Sequence, residues 1–347
     1  MSCVASPVAQ RFAEGGPRVI VAGATGFTGA LAAYLLWRHP DFQLAAVTGR
    51  SELGRPLREV YPRYRVPLEI ESLEVERLDG IDAAVVAYPH AAAAPTVGAL
   101  RERGIRVVDL SADFRLASLA AYERWYGEHP RPDLLEDAVY GLTELHRERI
   151  AGAAIVANPG CYPTASLLAL APLARAGLIA DVVIDAKQGI SGAGRVFDET
   201  THLSIAGENI VPYKVAAHRH TPEIEEQLAL LGAGDLKVQF QAHLVPLDQG
   251  EMASCYVTTT RPVAAEELGD LYAAAYADEP FVELVDGPPG VLEVRETNYC
   301  RVFAAADQHT GKVIAFGAID NLWKGTSSQA VQNLNLMFGL PETSGLL

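Results

Sequence analysis

Residues 19–22, Val-Ile-Val-Ala, form a short apolar run; Gly23-Ala-Thr-Gly26-Phe-Thr-Gly29 follows, and residues 30–37 carry an apolar helical pattern. A buried strand that turns through glycines into a helix is the setting a dinucleotide fingerprint requires, and it commits the chain to α/β architecture. Gly23 allows the tight turn, Gly26 the close approach of a pyrophosphate, and Gly29 the packing of helix on strand. The spacing is Gly-x-x-Gly-x-x-Gly, not the commoner Gly-x-Gly-x-x-Gly, and outside this setting the triplet would read as an ordinary glycine turn. Thr25, Phe27 and Thr28 complete the expected cofactor loop.

A second strand, residues 44–48, ends about 20 residues beyond the turn, where an NAD site would offer an acid to the ribose hydroxyls. This chain offers Thr48-Gly49-Arg50-Ser51. A guanidinium and hydroxyls at Arg50 and Ser51 suit a ribose 2′-phosphate, so NADP(H) is the expected cofactor. An ordinary surface arginine, with Glu52 beside it, is the competing reading. Residues 83–87 and 107–110 continue the strand pattern, with a helix expected over 91–103 between them. Strand ends in such a sheet face the ligand crevice, which puts Pro89 and His90 near the nicotinamide side, although His90 equally suits a helix start. Ser111-Ala-Asp113-Phe-Arg115 sits at the next strand end, as an internal salt bridge or an anion site.

Asn158-Pro-Gly-Cys161-Tyr-Pro-Thr164 lies between a strand-like run, residues 155–157, and a long apolar helical pattern, residues 165–176. Cys161 therefore falls at or just before a helix N-terminus, where free N–H groups favour an anion and a thiolate should be stabilised. An unperturbed thiol, with a pKa of about 8.5, is only slightly ionised at neutral pH, so such a shift would make a nucleophile abundant. A buried structural cysteine is the alternative.

Beyond the cysteine the pattern becomes strand-rich, with runs at 182–187, 236–247, 253–260, 299–306 and 313–319, a crossover helix over 264–277 and a last helix over 327–337. Gly189-Ile-Ser191-Gly192-Ala-Gly-Arg195 is either a plain glycine loop or a place where backbone N–H groups meet an anion or a nicotinamide ring. His218-Arg-His220-Thr-Pro-Glu223 opens a helix expected over 223–231. The two histidines lack further ligands at zinc-type spacing, so no metal is expected. Histidine, with a pKa near about 6.5, can serve a cysteine nucleophile as both base and acid, and the sequence does not choose between His218 and His220.

The formal net charge of −15 argues against nucleic acid or an anionic membrane surface as partner, so any anionic ligand must meet local positive charge. Four widely spaced cysteines, with no Cys-x-x-Cys pair, fit a reducing cytosol, and no stretch nears the ~18 apolar residues of a membrane span. A cytoplasmic enzyme is expected. At 347 residues, two domains are expected. Residues 1–17 read as a flexible extension.

Five separated motifs, the glycine turn, Ser111–Arg115, the Cys161 stretch, Ser191–Arg195 and the His218–Glu223 run, together with a tail from Ala318 to Thr343, resemble the N-acetyl-gamma-glutamyl-phosphate reductase family. The resemblance runs from about Arg18 to the end. It implies a Rossmann-type NADP-binding domain, residues 18–160 and 321–347, and an α+β substrate and dimerisation domain of the semialdehyde dehydrogenase type, residues 161–320. It further implies oxidoreductase chemistry in arginine biosynthesis, in which a small-molecule acyl phosphate forms a thioester on Cys161, and a homo-oligomer, either dimer or tetramer. His218 takes the proton-transfer role by this resemblance, with His220 and Glu223 orienting the site. Arg115, Ser191, Arg195, Lys214 and His220 are implied as substrate contacts, and Gly192, Pro89 and Asn321 as cofactor contacts. Arg219 and Lys324 join Arg115, Arg195 and Lys214 as cations for phosphate or carboxylate.

The sequence departs from the family pattern at Ala217, where glycine is frequent, at Trp323 and at Glu296, none of which touches the nucleophile. The related carrier-protein-linked aminoadipyl-phosphate reductases of lysine biosynthesis tend to lack the Pro-Gly and Tyr-Pro that flank the cysteine here. Aspartate-semialdehyde dehydrogenases share chemistry but lack the His-Arg-His-Thr-Pro-Glu run. A non-catalytic NADPH-binding sensor or scaffold would have no use for Cys161 and His218 together.

Overall fold

A computed structural model describes residues 15–195 and 199–347, so residues 1–14 of the expected extension lie outside it. The first sheet is built from β1 (Arg18–Ala22), β2 (Gln43–Thr48), β3 (Ile70–Glu71), β4 (Ala83–Val86), β5 (Arg106–Asp109), β6 (Ala138–Tyr140) and β7 (Ile155–Ala157). Its order is β3-β2-β1-β4-β5-β7-β6, with every pairing parallel. Parallel strands covered on both faces read as continuous apolar runs, as β1 and β4 do. One face of the sheet packs Val19 and Val21 with Leu31, Leu36, Val331 and Leu334, and the other packs Ile20 and Ala22 with Val97 and Leu100. The direction of strand succession reverses between β1 and β4, which opens a crevice at their carboxyl ends.

The second sheet contains β8 (Ile179–Gly189), β9 (Val211–Tyr213), β10 (Val238–Val245), β11 (Glu251–Thr259), β12 (Val282–Leu284), β13 (Cys300–Asp307) and β14 (Lys312–Ile319). It is mixed, in the order β12-β13-β14-β11-β8-β10-β9. The helix Cys161–Arg175 lies on one face, where Leu167, Leu170 and Leu173 share a core with Val182, Ile184 and Val257. Gly317 permits that approach, since a Cβ there would stand 2.2 Å from the Ala165 carbonyl oxygen. On the opposite face Val183 pairs with Tyr256, Tyr256 with Ile314, and Phe316 with Phe303. These side chains are partly or largely open. The last helix, Ser328–Met337, buries Val331, Leu334 and Met337 in the core of the first sheet.

Several element bounds differ from those expected. The helix expected over 91–103 begins at Ala94, because Asp113 accepts the N–H groups of Ala91 and Ala94 and holds Ala91 at φ 63°. The cysteine helix runs Cys161–Arg175, so it starts at Cys161 as expected and takes in Tyr162, Pro163 and Thr164 ahead of the apolar run. The helix after His220 runs Thr221–Leu228 and then widens into a π turn, Ala229–Ala233, broken at Gly232, whose φ is 114°. Strand β6 and the helices Leu119–Tyr126 and Thr143–Ile150 were not legible, all three being short and the last mostly polar.

Candidate active site

Gly160 caps the cysteine helix with φ −69° and ψ 155°, and Cys161 is its first residue. The turn is fixed from three sides. Asn158 donates to the Thr326 carbonyl at 3.0 Å and accepts from Asn333 Nδ2 at 3.1 Å. Glu223 Oε1 accepts the Gly160 N–H at 2.9 Å and the Tyr140 hydroxyl at 2.7 Å. A Cβ on Gly160 would stand 2.6 Å from His220 Nε2 and 2.9 Å from Arg115 Nη1, so only glycine lets both side chains close over the turn.

These bonds bear on two expected roles. Arg115 donates from Nε to the Asn158 carbonyl and from Nη2 to the Leu110 carbonyl, both at 2.8 Å, while Nη1 faces Glu223 Oε2 at 3.4 Å. It is a buried clamp on the turn that also lines one of the small cavities reaching Cys161. Glu223 is 1% exposed and lines none of the cavities that Cys161 lines. It is a positioning residue, not a catalytic one.

Gln188 Nε2 donates to Cys161 Sγ at 2.9 Å and to Glu251 Oε2 at 2.8 Å. Gly192 makes room for that amide, since a Cβ there would stand 2.3 Å from Gln188 Cδ. Burial first, then the charge and hydrogen bond of Glu251, push the Cys161 thiol well above its ordinary pKa, outweighing the Tyr162 N–H and Arg115. The expectation of a stabilised thiolate is therefore overturned: the helix N-terminus acts against a larger desolvation cost and a neighbouring acid. Burial in turn raises Glu251 to about 8, with the Cys161 hydrogen bond pulling the other way. The two groups titrate as a pair.

His218 stands in an aromatic box of Tyr162, Tyr213 and Phe240, with ring centroids at 5.5, 5.5 and 4.9 Å. Burial, then Lys214 and Arg219, lower it to about 3. Its Nδ1 accepts the His220 N–H at 3.2 Å. A neutral ring with Nδ1 occupied as an acceptor carries its proton on Nε2, so His218 is a hydrogen-bond donor to the cavity. The acid and base near pH 6.5 expected of it is not what this environment makes. Burial also drives His220 well below its ordinary value.

A cavity of about 690 Å³ contains Cys161, Gln188, His218 and His220, with Lys214 and Arg219 also on its wall. Two smaller cavities also reach Cys161, one of them joining it to Gly26, Phe27, Thr28, Gly192 and Asn321. Pro89 lines the large cavity and one of the smaller two. The glycine turn behaves as its spacing suggests. A Cβ on Gly23, whose φ is 95°, would stand 2.6 Å from the Ala87 carbonyl oxygen, and one on Gly29 would stand 2.2 Å from the Gly23 carbonyl oxygen. Gly26 meets only the Gly23 oxygen, at 3.7 Å, and caps the helix Phe27–Arg38 without a side chain, leaving helix N–H groups open to the groove. Arg50 and Ser51 are exposed at the end of β2, the Arg50 guanidinium lying 4.9 Å from the Tyr88 ring centroid. These features fit a dinucleotide with a 2′-phosphate.

Other expected ligand residues are held by bonds within the chain. Arg195 Nη1 donates to the Thr25 carbonyl at 3.1 Å and Nη2 meets Glu52 at 3.3 Å, which sets it against the cofactor loop, not the acyl cavity. Ser191 donates to the Asp248 carbonyl at 2.6 Å and accepts from Asn321 at 3.0 Å, so both brace the glycine loop while lining the small cavity between Cys161 and Gly26. Lys324 is fully buried and paired with Glu144 at 2.5 Å, which removes it as an anion binder. Sequence reading missed Gln188, Glu251, Tyr162 and Tyr213; the available signal was an acid opening an otherwise buried strand at Glu251. Among the described residues no cluster of three or more His, Cys, Asp or Glu side chains is placed to hold a metal, and no helix is long and apolar enough to cross a membrane.

Comparison with known proteins agrees with this architecture. Residues 18–153 match the model of the semialdehyde dehydrogenase NAD binding domain, and residues 161–321 that of the semialdehyde dehydrogenase dimerisation domain. An N-acetyl-gamma-glutamyl-phosphate reductase of Desulforudis audaxviator is 48% identical, covering 95% of this chain and 98% of its own. Among solved structures, aspartate semialdehyde dehydrogenase II from Vibrio cholerae, complexed with ASA, has a TM-score of 0.72 at 20% identity, covering 93% of this chain and 98% of that one. The Candida albicans enzyme with NADP has a TM-score of 0.71 at 16% identity, covering 93% and 98%. A cysteine at a helix start beside a glycine-turn groove, in a chain so closely related to these reductases, leads to one assignment: the chain belongs to the N-acetyl-gamma-glutamyl-phosphate reductase family.

Proposed function

We propose that the protein reduces N-acetyl-L-glutamyl 5-phosphate to N-acetyl-L-glutamate 5-semialdehyde and phosphate, using NADPH, as a step of arginine biosynthesis. The observation that carries this reading is the position of Cys161, at the start of a helix where the large cavity meets the one leading to Gly26 and Thr28.

Glu251, raised to about 8, accepts the thiol proton in its ionised form, and Gln188 Nε2 supports the sulfur as charge develops. Sγ attacks the acyl carbon, the bond to the phosphate oxygen breaks, and a thioester remains on Cys161. His218 Nε2–H is the donor for negative charge on the carbonyl oxygen; such preorganised donors contribute about 10²- to 10³-fold. NADPH, when bound, supplies the hydride that reduces the thioester. The carbon–sulfur bond then breaks, the aldehyde leaves, and sulfur takes its proton back from Glu251 beside the amide of Gln188. Gly26, Thr28, Arg50 and Ser51 would hold the cofactor, with Gly23 and Gly29 shaping its turn.

Residues 18–160 with 321–347 form the cofactor-binding part in this reading, and 161–320 the catalytic and dimerisation part. The half-open face carrying Tyr256, Ile314 and Phe316 serves as the contact between copies in a homodimer or tetramer, and the protein works in the cytoplasm. The test is the reverse reaction: N-acetylglutamate semialdehyde, phosphate and NADP⁺ should give NADPH absorbance, dependent on phosphate. Turnover of aspartate semialdehyde with none of the N-acetylated aldehyde would overturn the substrate assignment.

A further inference from the structure

Five cations could meet the anionic groups of an acyl substrate, and the structure sorts them. Arg115 donates to the Asn158 and Leu110 carbonyls and lines only a small cavity at Cys161, Arg195 is held by Thr25 and Glu52, and Lys324 by Glu144. Lys214 and Arg219 remain. Among the described residues neither has a carboxylate within ion-pair distance, although acids outnumber bases in the chain, 43 to 28. Both line the large cavity.

The wall that presents them is held in uncommon backbone conformations. Lys214 has φ 45° and Ala216 φ 54°, and the Ala217 N–H closes the turn on the Lys214 carbonyl at 3.0 Å. Left-handed conformations at non-glycine residues cost free energy and gather at ligand-binding sites. Arg219 is oriented by two rings. Its Nη1 lies 3.0 Å from His90 Nε2, and its guanidinium carbon lies 5.4 Å from the Tyr126 ring centroid. His90 precedes Ala91, the left-handed residue that Asp113 pins. Burial first and then Arg219 lower the pKa of both Lys214 and His90, with Asp113 pulling His90 the other way.

We infer that Lys214 and Arg219 form a subsite for a carboxylate on the substrate, at the end of the acyl chain remote from the reacting carbon. Resting on the acyl-phosphate reading above, this is the α-carboxylate of an N-acylated amino acid. The leaving phosphate sits on the carbon that Sγ attacks, whereas Lys214 and Arg219 are absent from the two smaller cavities that meet at Cys161. The side chain of Arg219 is already stacked, so it presents its remaining N–H donors without reordering.

The inference is tested without turnover, by protection of Cys161 from iodoacetamide, located by peptide mass. N-acetyl-L-glutamate should protect at a concentration at least about tenfold below 4-acetamidobutyrate, which lacks only the α-carboxylate, one charge-assisted contact being worth that much. The gap should close in Lys214→Gln and in Arg219→Gln, two variants made separately so that misfolding of one does not decide the result. A gap of unchanged size in both variants would overturn the inference, as would a lack of protection by any carboxylate. Loss confined to protection by inorganic phosphate would also overturn it, by making the pair a phosphate site. Glutarate protection that depends on both residues, with none from N-acetylglutamate, would support the carboxylate subsite while refuting the N-acetylglutamyl substrate.

Discussion

Glu223 Oε1 accepts the N–H of Gly160 at 2.9 Å, so the helix that follows the histidine motif is tied to the cap of the helix that starts at Cys161. The carboxylate is buried with Arg115 and Tyr140 and does not touch the large cavity. Removing one partner of a buried ion pair typically costs about 3–5 kcal/mol. Glu223→Ala should lose stability of that order in urea unfolding, and Glu223→Gln should lower kcat without removing a limb from the pH–rate profile. A lost limb would return Glu223 to proton transfer.

The Cys161 and Glu251 pair makes a prediction with a definite sign. A carboxylate beside a thiol disfavours the thiolate, so Glu251→Gln should move the alkylation midpoint of Cys161 to lower pH. In the parent, the rate should flatten as Glu251 titrates near about 8, and this break should vanish in the variant. An upward or absent shift would show that Glu251 does not restrain the thiol.

His218 titrates at about 3, so it is neutral throughout the neutral range and protonates only in acid. No limb of kcat near pH 6.5 should come from it. His218→Ala should cost about 10²- to 10³-fold in kcat while leaving the neutral part of the pH–rate profile unchanged. A limb near pH 6.5 that disappears with His218 would restore it as a general base.

Arg50 is exposed at the end of β2 beside the glycine turn. Arg50→Ala should raise the Michaelis constant for NADPH much more than that for NADH, since only the former carries the 2′-phosphate. Equal effects would assign the phosphate to another group.

What was legible in the chain was local. Gly23, Gly26 and Gly29 lie within one turn, and Cys161 announces itself by the strand before it and the helix after it. Gln188 and Glu251 were not legible, because they become neighbours as register partners of the antiparallel strands β8 and β11, 63 residues apart. Lys324 was a candidate cation for phosphate or carboxylate, yet the π turn Trp323–Ser327 carries it inside to meet Glu144 from 180 residues away. The thiol was misjudged for a related reason: the helix N-terminus is written locally, whereas the burial and the acid that oppose it come from tertiary packing.

The thioester on Cys161 is the centre of the mechanism, and mass spectrometry of enzyme mixed with N-acetylglutamyl phosphate in the absence of NADPH tests it most directly. The expected result is one acyl group on the peptide containing Cys161, with one phosphate released per site, and no adduct in Cys161→Ser. An acyl group on Cys255 or Cys300, both buried in the core of the second sheet, or full turnover by Cys161→Ser, would contradict it.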